Sequence, residues 1–153
     1  MVTYKHIVFC TDFSQYARAA LPHAVDLAKK YGATLHVLHV YQDAGHIAEF
    51  ELSSDTRTDL IRVAHLMGGE MEKRLEVLCE EIAKELGSCE RQMVRGKAHV
   101  EIIRYAREKK IDLIVMSSHG LSGLEHVLFG STAERVLRES PCHVFVVKAL
   151  PAT

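Results

Sequence analysis

Short apolar runs alternate along the chain with longer segments in which apolar residues recur every three or four positions. Four runs rich in β-branched residues predict strands at residues 6–10, 34–40, 112–116 and 143–147, and a weaker run covers residues 90–94. Near-continuous apolar runs are typical of strands that are covered on both faces, as in parallel sheets. The pattern therefore predicts five strands in one parallel sheet.

The first two intervening segments have the periodicity of amphipathic helices. Ser14 is placed to cap the first helix and Gly32 to end it, whereas Pro22 costs a backbone hydrogen bond unless it falls in the first turns. The apolar face of that helix consists of Ala17, Ala20, Leu21, Ala24 and Ala28. A regular stripe over residues 60–86 predicts a long second helix, which Gly68 and Gly69 allow to kink or break.

Two further helices are predicted, one over residues 99–109 and one that begins near Ser131. In the second of these, Ala133, Val136 and Leu137 are expected to face the core. Residues 42–57 form the only long irregular stretch, and we expect a surface loop there.

The resulting order is β-α-β-α-β-α-β-α-β, which favours right-handed crossovers between parallel strands. We therefore predict an α/β fold, a single doubly wound, Rossmann-like sandwich with a five-stranded parallel sheet and helices on both faces. The length of 153 residues suits one domain, so we expect residues 1–153 to form one unit.

Charge and composition narrow the classes of function. The formal net charge is −1, which gives no reason to expect nucleic-acid binding, and no apolar run is long enough to span a membrane. The amino-terminal residues do not resemble a secretory signal, so we expect a cytoplasmic protein with reduced cysteines. The four cysteines include no Cys-x-x-Cys pair, and Cys10 and Cys142 are interpreted as small core residues.

Candidate chemistry follows the predicted strands, because ligands of such sheets bind at the carboxyl ends of strands. Asp12 follows the first strand and is interpreted either as a hydrogen-bond acceptor for a ribose or base or as a helix cap together with Ser14. The last helix opens with Gly130-Ser131-Thr132, where free N–H groups favour a phosphate, although Ser131 also suits a simple cap. His119, in the loop after the fourth strand, either contacts phosphate or braces that loop.

The loop after the fourth strand carries a specific spacing. Nine residues separate Gly120 from Gly130-Ser131, and the flanking segments 112–116 and 132–136 and the turn 11–14 fit the same pattern. In these features the chain resembles the nucleotide-binding branch of the universal stress proteins, whose loop has the form Gly-x-x-Gly, nine residues, then Gly-Ser/Thr. One position departs from that form, because Ser117 stands where the first glycine is expected.

The resemblance implies that ATP, accompanied by Mg²⁺, lies across the ends of the first and fourth strands. It implies that Asp12 meets the ribose or base, that the backbone of Val40 pairs with adenine, and that residues 130–132 hold the β and γ phosphates. The full set of implied nucleotide-binding residues is Thr11, Asp12, Val40, Met116, Ser117, His119, Gly120, Gly130, Ser131 and Thr132. It also implies a homodimer joined through the strand at residues 143–147.

Two functions stay open at this point. One is an ATP-binding regulatory switch in a stress response, with protein partners that the sequence does not name. The other is a dimeric stress-response interaction module that binds no nucleotide. No P-loop, dinucleotide fingerprint or complete nucleophile elbow is present, so we assign no catalytic residue and expect at most slow ATP hydrolysis.

His36 and His39 are three residues apart on a strand, which places them on opposite faces and excludes a shared metal.

Overall fold

The computed structural model describes residues 1–42, 53–120 and 129–148, and it has the predicted alternation of strands and helices. Each predicted strand is present to within one residue at either end. The described elements are β1 (His6–Cys10), α1 (Gln15–Tyr31), β2 (Thr34–Tyr41), α2 (Ser54–Leu86), β3 (Glu90–Arg95), α3 (Ala98–Glu108), β4 (Leu113–Ser117), α4 (Ser131–Glu139) and β5 (His143–Val147).

The five strands form one parallel sheet in the order β3-β2-β1-β4-β5. The chain builds outward from β1 to β2 and β3, and then crosses to the other side of β1 for β4 and β5. Strand order therefore reverses between β1 and β4, and the carboxyl ends of these two strands flank the crevice in which such folds bind ligands.

A separate apolar layer covers each face of the sheet. On one face, α1 and α2 pack on alternate strand residues such as Phe9 and Val37. On the other face, α3 and α4 pack on the intervening residues, such as Val8 and Ile114. The doubly wound sandwich expected from the sequence is confirmed.

The capping residues of α1 are confirmed. The Ser14 hydroxyl accepts a hydrogen bond from the Ala17 N–H at 3.1 Å, and Gly32 ends the helix in the left-handed conformation with φ of 63°. Pro22 lies inside the helix rather than in its first turn, so α1 lacks the hydrogen bond that this position would otherwise donate. The helix tolerates this loss because four alanines and a valine of its inner face are buried against the sheet on either side of the proline.

The long second helix starts earlier than predicted. It begins at Ser54, where the Ser53 hydroxyl accepts a hydrogen bond from the Thr56 N–H, and it continues unbroken through Gly68 and Gly69. Residues 54–57 are therefore helical and not part of a loop, because a serine cap satisfies the first turn of an otherwise polar segment. Of the rest of the predicted loop, residues 42 and 53 lie outside helices and strands, and residues 43–52 lie outside the described residues.

Two further expectations are corrected. Leu137 of α4 is 44% exposed, although Ala133 and Val136 are buried as predicted. The cysteines are not all reduced, because Cys79 and Cys89 form a disulfide while Cys10 and Cys142 are free. Among the described helices, none combines the length and the hydropathy needed to cross a membrane.

Candidate functional site

A cavity of about 200 Å³ opens at the carboxyl ends of β1 and β4. All ten residues that the sequence singled out line this one cavity, although they come from four separate segments of the chain. Their described neighbours in its wall are Cys10, Ala17, Leu38, Ala98, Ile102, Ser118 and Ala133. The fold thus brings the predicted set together, while the role of these residues as nucleotide contacts stays a prediction.

The end of β1 is held in a fixed turn. The Thr11 N–H donates to the Leu38 carbonyl at 2.9 Å, and the Thr11 carbonyl accepts from His39 Nδ1 at 2.8 Å. Asp12 Oδ1 accepts from the Ser14 N–H at 2.9 Å, and the residue between them, Phe13, has a φ of 61°. Asp12 therefore supports the start of α1, as one of the two interpretations proposed, and it also lines the cavity.

The second carboxylate oxygen of Asp12 lies against the backbone of Gly120. A Cβ atom built on Gly120 would overlap Asp12 Oδ2, so the loop after β4 approaches the carboxylate as closely as a residue without a side chain allows. The structure thus places the acid of one strand against the glycine loop of the other. This contact joins the two strands on either side of the crevice.

The turn after β4 is braced by its own serines. Ser117 is buried, and its hydroxyl donates to the His119 carbonyl at 2.6 Å. Ser118 is almost fully buried, and its Oγ lies 2.9 Å from His119 Nδ1. The His119 ring also lies beside Tyr16, with 6.0 Å between ring centroids. His119 is therefore held in place by the loop, as one of its two interpretations proposed.

The start of α4 offers backbone donors to the cavity. Gly130 is the N-cap residue and has no side chain to cap the helix, and Ser131 is the first helical residue rather than the cap. A Cβ atom on Gly130 would lie 3.2 Å from the Ser118 carbonyl oxygen, to which the Gly130 N–H donates at 2.7 Å. The first N–H groups of a helix carry partial positive charge and attract anions. Residues 121–128 of the predicted loop lie outside the described residues.

An apolar wall completes the cavity. Val40 and Met116 were predicted, but Ala98 and Ile102 of α3 were not. The sequence carried a signal for them, since α3 starts directly beyond the carboxyl end of β3 and so faces the same edge of the sheet. Cys10 also lies in this wall, and burial with the nearby Cys142 raises the pKa of its thiol to about 12.

The described residues contain no group of three or more side chains suited to hold a metal ion. His36 and His39 are both buried and lie on opposite faces of β2. His36 Nδ1 lies 3.0 Å from the Tyr105 hydroxyl of α3, whereas His39 packs on Phe13 at the start of α1. The predicted placement of these two histidines on opposite faces of the strand is confirmed.

Comparison with known proteins identifies relatives along almost the whole chain. Residues 3–148 match the model of the universal stress protein family. A universal stress protein of Methanocaldococcus jannaschii is 34% identical over 146 residues, which are 95% of this chain and 82% of that protein.

Solved structures share the fold. UspA from Lactobacillus plantarum superposes with a TM-score of 0.82 at 24% identity, over 96% of this chain and 99% of that one. A universal stress protein solved in complex with cAMP superposes with a TM-score of 0.62 at 26% identity, over 95% of this chain and 98% of that one.

Proposed function

Because the chain belongs to the universal stress protein family, we propose that it binds ATP and acts as a nucleotide-dependent regulatory switch in a stress response. One observation carries the proposal. The Asp12 carboxylate and the N-terminus of α4, where the N-cap residue is a glycine without a capping side chain, lie in the wall of the same cavity. A carboxylate suits the hydroxyls of a ribose, and an open helix start suits phosphates.

The cavity has parts that match each portion of ATP. Val40 and Met116 supply an apolar wall for adenine, with backbone groups of Val40 at the strand end. The hydroxyls of Ser131 and Thr132 stand beside the open N–H groups of α4, where we place the β and γ phosphates. Mg²⁺ takes oxygen ligands and keeps several waters, so in this proposal it arrives with the triphosphate rather than in a protein cage.

Ser117 is compatible with this proposal. Its φ is not positive, so the position does not demand glycine for conformational reasons. Its hydroxyl is turned to the His119 carbonyl of its own loop. The serine therefore stabilises the turn from within, so its presence in place of glycine is compatible with a folded nucleotide loop.

A switch requires that the ligand favours one arrangement of the chain over another. The cavity wall combines β1, β2, β4, α3 and the start of α4. A nucleotide that contacts β1 and α4 together would stabilise their relative position and that of the glycine loop between β4 and α4. We propose that partner proteins recognise this difference.

The proposal is tested by identifying bound nucleotide. The freshly purified protein is denatured, and released nucleotides are separated by chromatography. Titration calorimetry then compares ATP with ADP, AMP and cAMP, with and without Mg²⁺, since one solved relative holds cAMP. We expect saturable binding of one ATP per chain, and tighter binding of ATP than of AMP because of the phosphate contacts.

Two variants probe the two halves of the site. Asp12→Asn keeps the acceptor for the Ser14 N–H but removes the charge, and we expect binding at least about tenfold weaker, as for one lost charged hydrogen bond. Gly130→Val pushes a side chain against the Ser118 carbonyl and should abolish phosphate-dependent affinity. Gly69→Val, far from the cavity on α2, is the control for a new β-branched side chain. If no nucleotide is released from the purified protein and calorimetry detects no binding up to millimolar ATP, this function is rejected. The dimeric interaction module without nucleotide would then be the remaining function.

We further propose a cytoplasmic homodimer joined through β5. The two edges of the sheet differ in chemistry: β3 reads Glu-Arg-Gln-Met-Val-Arg, whereas β5 reads His-Val-Phe-Val-Val. An apolar edge strand invites pairing with another strand, while charges protect an edge from it. Phe145 of β5 and Leu137 of the neighbouring α4 are 40% and 44% exposed, as expected for residues that a second copy covers.

A further inference from the structure

The Cys79–Cys89 disulfide lies where α2 returns to the sheet. Cys79 is in the last third of α2 and is 3% exposed, whereas Cys89 directly precedes β3 and is partly exposed. Their Cα atoms are 5.5 Å apart, and Gly87, in the left-handed conformation, turns the chain between them. The bond therefore joins the end of the long helix to an edge strand.

This link adds a covalent bond to the narrow contact between α2 and the sheet. Of the 33 residues of α2, only Leu75, Cys79 and Ile82 are buried. The other bridge between α2 and β3, from Glu76 to Arg91, is an exposed ion pair with 3.9 Å between its charged atoms, and such pairs stabilise little. Breaking the disulfide would leave the aliphatic residues of one face, the buried Leu75 and Ile82 with the partly buried Leu78 and Leu86, to hold the helix on the sheet.

The remaining thiols are poorly suited to reaction. Thiolates rather than thiols attack disulfides. Burial raises the pKa of Cys10 to about 12, and burial also raises the pKa of Cys142. Exchange chemistry in this chain is therefore directed to the pair at the α2–β3 turn, and to Cys89 first because it is the more accessible of the two sulfurs.

We propose that Cys79 and Cys89 form a reversible redox modification site, which exchanges with small thiols and disulfides of the glutathione class and thereby sets how firmly α2 is held. In reduction, an external thiolate attacks the Cys89 sulfur, the bond to Cys79 breaks, and Cys79 leaves as a thiolate that takes up a proton. A second external thiolate attacks the external sulfur of the mixed disulfide and releases Cys89. Two small thiols are oxidised to one small disulfide, and the protein disulfide is reduced to two thiols.

The test measures which cysteines react and what the reaction changes. The native protein is equilibrated with mixtures of glutathione and glutathione disulfide, free thiols are alkylated, and peptides are identified by mass spectrometry. Cys79 and Cys89 should change together in one two-electron transition, while Cys10 and Cys142 should stay unmodified. The oxidised form should have a Tm about 5–10 °C above that of the reduced form, as for closure of a short loop in a chain of this size.

Variants separate the link from its surroundings. Cys89→Ser removes the bond at the more exposed position, so it should fold, show the Tm of the reduced protein and ignore the redox mixture. Cys10→Ser with Cys142→Ser is the matched control and should keep the full redox-dependent shift. Amide hydrogen exchange over residues 79–95 should become faster on reduction of the wild type but should not respond in Cys89→Ser.

Three results would overturn the proposal. These are free Cys79 and Cys89 under glutathione disulfide, a bond that reduces only on unfolding, and equal Tm values for the two redox forms. The proposal does not depend on nucleotide binding, because Cys89 lies at the amino end of β3 and the cavity at the carboxyl ends of the strands. ATP affinity should therefore change less than about twofold between the redox forms.

Discussion

Single residues decide how closely the two sides of the cavity approach. Gly120 contacts Asp12 at a distance that leaves no room for a Cβ atom. In Gly120→Ala the new Cβ atom would overlap the end of the Asp12 side chain, so the carboxylate must move. The backbone itself accepts alanine, since the φ of Gly120 is not in the left-handed region. We expect a folded variant with ATP affinity reduced at least about tenfold, measured by calorimetry. Gly69→Ala, whose new Cβ meets nothing, is the control; unchanged affinity in Gly120→Ala would show that the Asp12 position does not matter for binding.

His36 makes the stability of the protein depend on pH. The residue is 2% exposed, and its side chain contacts Tyr105, His6 and Glu90. Burial is the largest effect and lowers the pKa of His36 below its usual value of about 6.5; Glu90 opposes this shift, and His6 and Lys109 add to it. The folded protein therefore binds a proton at this residue less readily than the unfolded chain does.

The sign of the effect follows from that difference. Above about pH 6.5, His36 is neutral in both the folded and the unfolded state, and its contribution to the free energy of unfolding does not change with pH. Below that pH the unfolded chain binds a proton at this residue while the folded protein does not, so the free energy of unfolding falls. Urea unfolding at a series of pH values should show a loss of up to about 1.4 kcal/mol per pH unit from this group as pH falls toward its folded pKa. His36→Gln should be less stable at pH 7.5 and have a shallower acid slope, with the exposed His23→Gln as control. Parallel slopes for wild type and His36→Gln would contradict the assignment.

At the scale of elements, α2 contains two glycines that neither backbone conformation nor close packing within the described chain requires. A Cβ atom at Gly68 or Gly69 would meet no other atom within 4 Å, and neither residue has a positive φ. Glycine in the interior of a helix costs about 1 kcal/mol relative to alanine. Gly68→Ala and Gly69→Ala should each raise the free energy of unfolding by about 0.5–1 kcal/mol, measured by urea unfolding. A loss of stability would indicate that another surface packs on the helix at that point.

Elements with a uniform environment could be predicted from the sequence. The central strands β1, β2 and β4 are covered on both faces, so their apolar runs are clear in the sequence, and α1 has its cap and its terminal glycine at the expected residues. The start of α2 was missed because Ser53 and the polar residues after it have the composition of a loop. Leu137 was misassigned because periodicity shows that a position is apolar but not what covers it.

The site was predictable for a related reason. Its polar residues follow strand ends, and the reversal of strand order fixes which ends meet. Ala98 and Ile102 are not identified by their chemistry, because small and aliphatic residues look alike in a core and in a site; only the start of α3 beyond the end of β3 points to them. The disulfide was missed because its spacing fits no motif; only the return of the chain at Gly87 places Cys79 beside Cys89.

At the scale of the whole molecule, the two sheet edges make opposite predictions about assembly. The chain presents charged residues along β3 and an apolar β5 with Phe145 at its centre. An antiparallel pairing of two β5 strands would continue the sheet across a twofold axis and place the two Phe145 side chains near that axis. A carboxylate at this position would then face its own copy, and like charges opposite each other on paired strands are unfavourable.

We therefore expect wild-type protein to have twice the mass of one chain in solution, and Phe145→Glu to shift to the mass of a single chain, both measured by light scattering coupled to size-exclusion chromatography. Gln92→Glu adds the same charge to the exposed edge strand β3 and should leave the dimer intact. Equal dimerisation in both variants would place the interface elsewhere. Because β5 follows α4 directly and pairs with β4, a β5 dimer would hold the two cavities at fixed positions on one continuous sheet. A shift of α4 or β4 on nucleotide binding in one copy would then be transmitted through the paired β5 strands to the other copy.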